Sequence, residues 1–104
     1  MAETLPFRVI LRMEIFPGKG PEFERVWLEV GKVIAEQPAN LGQTLMRAAK
    51  EEDVYYVLTD WHDESSFRDF ERSEAHVGHR RRISPFRRTG QMILTQAVFD
   101  LRPA

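Results

Sequence analysis

The chain has no cysteine, so a disulfide, a thiolate metal site and a cysteine nucleophile are all excluded. No apolar run is long enough to cross a bilayer. The first residues, Met1-Ala2-Glu3-Thr4, carry neither the basic nor the apolar stretch of a secretory signal, and a cytoplasmic protein is the expectation. A dominant charge is missing as well: 15 Lys and Arg stand against 16 Asp and Glu, for a net charge of −1. Nothing long-ranged therefore draws the chain to nucleic acid or to an anionic membrane. Tryptophan and tyrosine are scarce, two of each, so the places where they fall carry weight.

What is present suits a folded protein. The 104 residues, 42% hydrophobic and 30% charged, fit one domain over residues 1–104 with a core from 7 to 101. From Phe7 to Phe16 the charges Arg8, Arg12 and Glu14 share one parity, which predicts a strand with a clean apolar face of Phe7, Val9, Leu11, Met13 and Ile15. Pro17-Gly18-Lys19-Gly20 makes a turn, too short for a phosphate loop, and Pro21 opens a helix. Phe23, Val26, Trp27, Val30, Val33 and Ile34 then recur at helical spacing until Pro38. Thr44–Ala49 and Val54–Trp61 read as a hairpin. Asp63 caps a helix carrying Phe67 and Phe70, a second piece runs from Glu74 to Ile83, and Gln91–Leu101 reads as the last strand.

The order strand, helix, strand, strand, helix, strand predicts an α+β, ferredoxin-like split βαβ fold (βαββαβ), a four-stranded antiparallel sheet with both helices on one face. The other face is left bare. Parity puts Arg8, Ile10, Arg12, Glu14, Phe16, Tyr56, Leu58 and Asp60 there, together with Met92, Leu94, Gln96 and Val98. Such a half-apolar surface with opposite charges predicts a homodimer packed sheet to sheet, with Arg12 and Asp60 as a pair inside it.

The most informative stretch is Val54-Tyr55-Tyr56-Val57-Leu58-Thr59-Asp60-Trp61, followed by Asp63-Glu64-Ser65-Ser66-Phe67 and then by His76 and His79. It sets an aromatic beside titratable groups and reads as a small-molecule pocket; read more plainly, it is a strand packed on a helix. His76 and His79 are spaced to share a helix face, but no third ligand accompanies them and no metal is expected. Arg80-Arg81-Arg82 with Arg87-Arg88 is a local basic run beside Glu71 and Glu74. With only Phe86 between the arginines, it does not predict nucleic-acid binding.

Taken together, the first strand entering Pro17-Gly18-Lys19-Gly20, the hairpin ending in Asp60-Trp61, the Asp63–Phe67 segment and the histidines at 76 and 79 resemble the antibiotic biosynthesis monooxygenase family of dimeric α+β barrels. The resemblance spans Phe7 to Leu101. It implies that Trp61 lines a substrate cavity, and that a basic residue after it has a counterpart in Arg81. The chain departs from the monooxygenase pattern at Val57, where those enzymes carry asparagine, and at Phe67, where they carry tyrosine. The haem-degrading relatives carry an asparagine where Leu11 falls and a proximal histidine that matches His79 only with a one-residue shift, so haem degradation ranks lower.

The chemistry that the resemblance implies is cofactor-free oxygenation of an aromatic polyketide-type substrate, anthrone- or phenol-like, by dioxygen to give a quinone. This needs a base, a donor for a developing oxyanion and a dry pocket. His76 or His79 would be the base, and Arg80 or Arg81 the anion stabiliser. Trp61, Phe67, Phe70 and Trp27 would wall the ring system, and Tyr55 and Thr59, sharing the parity of Trp61, would offer hydroxyls. The alternative is a non-oxidative barrel, a polyketide cyclase or a small-ligand-binding protein, which binds without consuming oxygen. In neither reading is a cofactor expected.

Overall fold

In the computed structural model, which describes residues 5–103, the chain forms β1 (Phe7–Ile15), α1 (Gly20–Ala35), β2 (Asn40–Arg47), β3 (Val54–Trp61), α2 (Glu64–Glu71), α3 (Glu74–Ile83), a 3₁₀ turn at Ser84–Phe86 and β4 (Arg87–Gln96). The four strands form one antiparallel sheet in the order β2-β3-β1-β4. This is the ferredoxin-like α+β arrangement, with the second helix broken in two. The break is built by Ser73, whose hydroxyl donates to the Phe70 carbonyl at 2.6 Å and accepts from the His76 amide at 3.3 Å, ending α2 and capping α3. Asp63 caps α2 in the same way, accepting from the Ser66 amide at 2.7 Å. No helix among the described residues is long and apolar enough to cross a membrane.

The central strands follow the parity of their sequences. Phe7, Val9, Met13 and Ile15 of β1 and Tyr55, Val57, Thr59 and Trp61 of β3 are buried beneath the helices. Two apolar clusters result. One gathers Met13, Ile15, Phe23, Val30, Tyr55, Val57 and Ile83; the other gathers Phe7, Val9, Ile34, Trp61, Phe67 and Phe70. Val33, expected on the inner side of α1, is 49% exposed. Val30 and Ile34 already occupy the buried edge, and one further step around the helix carries position 33 past it.

The edge strands depart from expectation. β2 begins at Asn40 rather than Thr44, reaching its partner through a bulge between Asn40 and Gly42, where glycine holds φ 143°. β4 starts at Arg87 rather than Gln91 and stops at Gln96 rather than Leu101. An edge strand pairs on one side only, so Arg87-Arg88-Thr89-Gly90 is tolerated where a central strand would need apolar residues. It stops because β1 runs out: Gln96 lies opposite Phe7, the Ala97 amide makes a last bond to the Pro6 carbonyl, and Val98, Phe99 and Leu101 are exposed.

The face assigned to β4 also needs correction. Leu94 lies opposite Val9, Met92 opposite Leu11 and Gln96 opposite Phe7, so these three share the helix side. Ile93 and Thr95, opposite Ile10 and Arg8, lie on the open side, and Val98 is outside the strand. Three apolar residues in a row, Met92-Ile93-Leu94, conceal the alternation. The expected pair of Arg12 with Asp60 is not formed. The register sets Arg8 opposite Asp60, and the two make a two-pronged ion pair at 2.7 and 2.9 Å. Arg12 instead lies opposite Tyr56 and bonds Glu14 and Glu51 at 3.2 and 3.0 Å.

Candidate functional site

Between the two apolar clusters, on the helix side of the sheet, lies a cavity of about 330 Å³. Its floor is strand: Val9, Leu11 and Met13 of β1, Val57, Thr59 and Trp61 of β3, and Gln43 of β2. Trp27 and Ile34 of α1 and Phe67, Phe70 and Glu71 of α2 form its sides. His76, His79, Arg80 and Ile83 of α3 lie above it, and Arg87, Gly90, Gln91 and Met92 of β4 make the rim of its opening. The volume is at the small end of the range for small-molecule sites.

A ladder of rings crosses the cavity. Phe67 meets Trp61 edge-on at 5.8 Å, and Trp61 stacks on Phe70 at 4.9 Å. Phe70 meets His76 edge-on at 5.2 Å, and His76 lies parallel to His79 at 6.2 Å. The capping of α2 by Asp63 and of α3 by Ser73 fixes where these rings fall: Phe67 and Phe70, three apart, share the buried stripe of α2, and His76 and His79, three apart, share that of α3.

Three polar atoms in this ladder are buried without a hydrogen-bond partner among the described residues: Trp61 Nε1, His76 Nδ1 and His79 Nδ1. Buried polar atoms are nearly always paired in folded proteins, so three orphans in one cavity offer bonding capacity that a ligand or water can meet. Burial pushes the His79 imidazolium down to about 4, helped by the neighbouring charges of His76 and Arg82. Burial also lowers His76, as does Arg80, while Glu71 acts the other way. Both rings are therefore neutral near pH 7, and a charge on His76 would further disfavour one on His79. Glu71 favours His76 as the ring that receives a proton. The Glu71 carboxylate is itself held by Arg68 at 3.0 Å.

Of the residues singled out in the sequence, Trp27, Thr59, Trp61, Phe67, Phe70, His76, His79 and Arg80 line the cavity. Asn40 Nδ2 donates to Thr59 Oγ1 at 3.1 Å, leaving the threonine hydroxyl hydrogen for another acceptor. Tyr55 and Arg81 are not brought there. Tyr55 packs on Phe23 at 4.9 Å and its hydroxyl donates to Glu24, which also accepts from Arg47 at 2.7 Å. The shared parity with Trp61 is real, but α1 covers that end of β3. Arg81 points away from the cavity on the exposed side of α3, and its neighbour Arg80 takes the place expected for it. Val57, Phe67 and Leu11, the positions where the chain departs from family polar residues, all line the cavity and make it apolar there.

Sequence reasoning did not place Gln43, Glu71 or Arg87 at the cavity. Gln43, whose side chain donates to the Gly31 carbonyl at 2.7 Å, shares the parity of Leu45 once β2 is extended back to its true start. Arg87 was hidden by the late start assigned to the last strand.

Comparison with known proteins agrees with the fold. The model of the antibiotic biosynthesis monooxygenase family matches residues 6–82. A heme oxygenase (mycobilin-producing) of Mycobacterium tuberculosis is 28% identical over 100 residues, 93% of each chain. Among solved structures, SnoaB of Streptomyces nogalater, a cofactor-independent oxygenase, superposes with a TM-score of 0.84 at 21% identity over 95% of this chain and 99% of its own. A Caulobacter crescentus protein assigned to the antibiotic biosynthesis monooxygenases gives a TM-score of 0.81 at 24% identity over 92% of both chains. At these identities the two structures establish the fold alone.

Proposed function

We propose, for a chain that belongs to the antibiotic biosynthesis monooxygenase family, that it oxygenates a planar, electron-rich aromatic of the anthrone or phenol type with dioxygen and no cofactor, giving a quinone. The observation that carries this reading is the half-buried pair of neutral imidazoles, each with an unpartnered Nδ1, beside an unpartnered indole N–H in an aromatic-walled cavity. His76 accepts the proton from the activated ring carbon of the substrate, and Glu71 favours the imidazolium that forms. Trp61 Nε1 donates to the oxygen on which the substrate's negative charge gathers. The carbanion passes its electrons to dioxygen, the hydroperoxide formed at that carbon loses water, and a carbonyl remains. One oxygen atom enters the quinone and the other leaves as water. The apolar lining keeps bulk water from quenching the carbanion.

The test is saturable binding and oxygen uptake with a panel of anthrones and naphthols. Binding without oxygen consumption moves the chain to a cyclase or a small-ligand-binding protein. A second reading takes haem as the substrate, favoured by the 28% identical mycobacterial relative and by neutral imidazoles whose free Nδ1 suits iron. It ranks second because Leu11 offers β1 no polar group in the cavity. A Soret band appearing on haem titration and lost in His79→Ala would favour it.

We assign the open sheet face to a second copy of the chain. It carries Ile10, Leu58, Ile93 and Met46 among the ion-paired Arg8 and Asp60, a mixture of apolar surface and fixed charge that suits a self-complementary interface. Light scattering that returns a monomer mass at micromolar concentration would remove this assignment.

A further inference from the structure

A second hollow, of about 470 Å³, lies beside the C-terminal end of α3, and Arg80 and Arg87 line both it and the aromatic cavity. Arg81, Ser84, Val77 and Pro85 complete it. Six arginines, Arg8, Arg12, Arg47, Arg68, Arg82 and Arg102, each pair with a carboxylate. Among the described residues, Arg80 and Arg87 make no such pair, as is true of Arg25, Arg72, Arg81 and Arg88, but of these only Arg80 and Arg87 line both cavities. Arg87 also lies back over Gly90, where a Cβ would stand 3.0 Å from its Cδ, so the glycine leaves room for the guanidinium at the rim. The one acid in the aromatic cavity, Glu71, belongs to α2 and is held by Arg68. The site is thus polarised, with a neutralised acid on the α2 side and two free guanidinium groups where the cavities join.

We infer that Arg80 and Arg87 form a carboxylate clamp between the two cavities, and that the ligand is a planar aromatic acid whose ring lies against Trp61 and whose carboxylate, on a substituent, reaches the arginines. Guanidinium groups match the two oxygens of a carboxylate with paired donors, which a neutral group of the same size cannot reward. The substituent occupies the second hollow along Val77 and Pro85. The clamp rests on the proposed oxygenase only for the place of the ring.

The test is quenching of Trp27 and Trp61 fluorescence by two probes, anthraquinone-2-carboxylate and its neutral carboxamide, at low ionic strength. The native protein is expected to bind the acid roughly 10- to 100-fold more tightly than the amide, the range for a charge-assisted contact. In the double variant Arg80→Gln, Arg87→Gln the preference should fall to about threefold or less, with the amide affinity unchanged. Arg88→Gln, a neighbouring cation outside both cavities, should keep the full preference. Equal binding by the native protein, a preference that survives the double variant, or no binding of either probe would each overturn the clamp. Oxygen uptake separates the two readings: acid preference without uptake leaves the clamp and removes the oxygenase, and uptake without acid preference does the reverse.

Discussion

Replacing Trp61 with phenylalanine separates what the residue does for the fold from what it does for chemistry. Its side chain is 1% exposed and packs between Phe67 and Phe70. Its Nε1 makes no hydrogen bond among the described residues, so removing that atom breaks no internal bond and leaves no partner stranded. The cost to stability is then only that of a smaller ring in a cavity already lined by aromatics, about 1–2 kcal/mol, against about 3–5 kcal/mol for Trp61→Ala. A domain of this size has roughly 5–15 kcal/mol to lose, so the phenylalanine variant stays folded and the alanine variant is at risk. If Nε1 donates to the developing oxyanion, turnover of Trp61→Phe falls on the order of 100-fold with a small change in substrate affinity. Urea unfolding followed by circular dichroism supplies the first quantity and single-turnover absorbance the second. A loss of several kcal/mol in Trp61→Phe, or turnover within about twofold of native, refutes the separation of roles.

Acid stability follows from the buried imidazoles. The unfolded chain binds a proton at His79 near 6.5 while the folded chain refuses it until about 4, so the folded state is favoured above this window and loses that advantage as pH falls through it, with a slope approaching roughly 1.4 kcal/mol per pH unit. His79→Leu flattens that slope, as chemical denaturation at several pH values will read. Gly20→Ala sets a Cβ 2.7 Å from the Tyr55 hydroxyl, pushing it off Glu24 and costing about 1–2 kcal/mol, whereas Gly78→Ala, with nothing within 4 Å in an exposed helix, gains about 0.5–1 kcal/mol. Asp60→Ala leaves the half-buried Arg8 guanidinium unpaired and is expected to cost about 1–2 kcal/mol and weaken self-association, measured by thermal melts and sedimentation.

Much of the fold is legible because two central strands and one helix have clean periods. β1 and β3 alternate over most of their length, Asp63 is a capping residue whose carboxylate accepts from the amide three positions on, and Pro21 and Pro38 bracket α1. The edges are harder to read, since β2 and β4 gain shape from pairing rather than from their own pattern, and the run Met92-Ile93-Leu94 gives no parity at all. The misplaced pair of Arg12 with Asp60 has the same origin: parity says which residues share a face, and only register says which are opposite. At the site, the rings were found because helical spacing of three joins Phe67 to Phe70 and His76 to His79. Tyr55 was misassigned because parity gives its face and not which helix lies over it. Arg80 and Arg81 are adjacent in sequence, and the choice between them turns on the rotation of α3, which a run of three arginines does not reveal.

The most direct test is the stoichiometry of dioxygen consumed to quinone formed by the chelator-treated protein with an anthrone substrate, native against His76→Ala. The proposed oxygenation predicts one dioxygen per quinone in the native protein, with the rate falling by at least about tenfold in the variant at unchanged stoichiometry. Quinone formed at the same rate by both proteins, or oxygen uptake that appears only when metal or haem is restored, would contradict it.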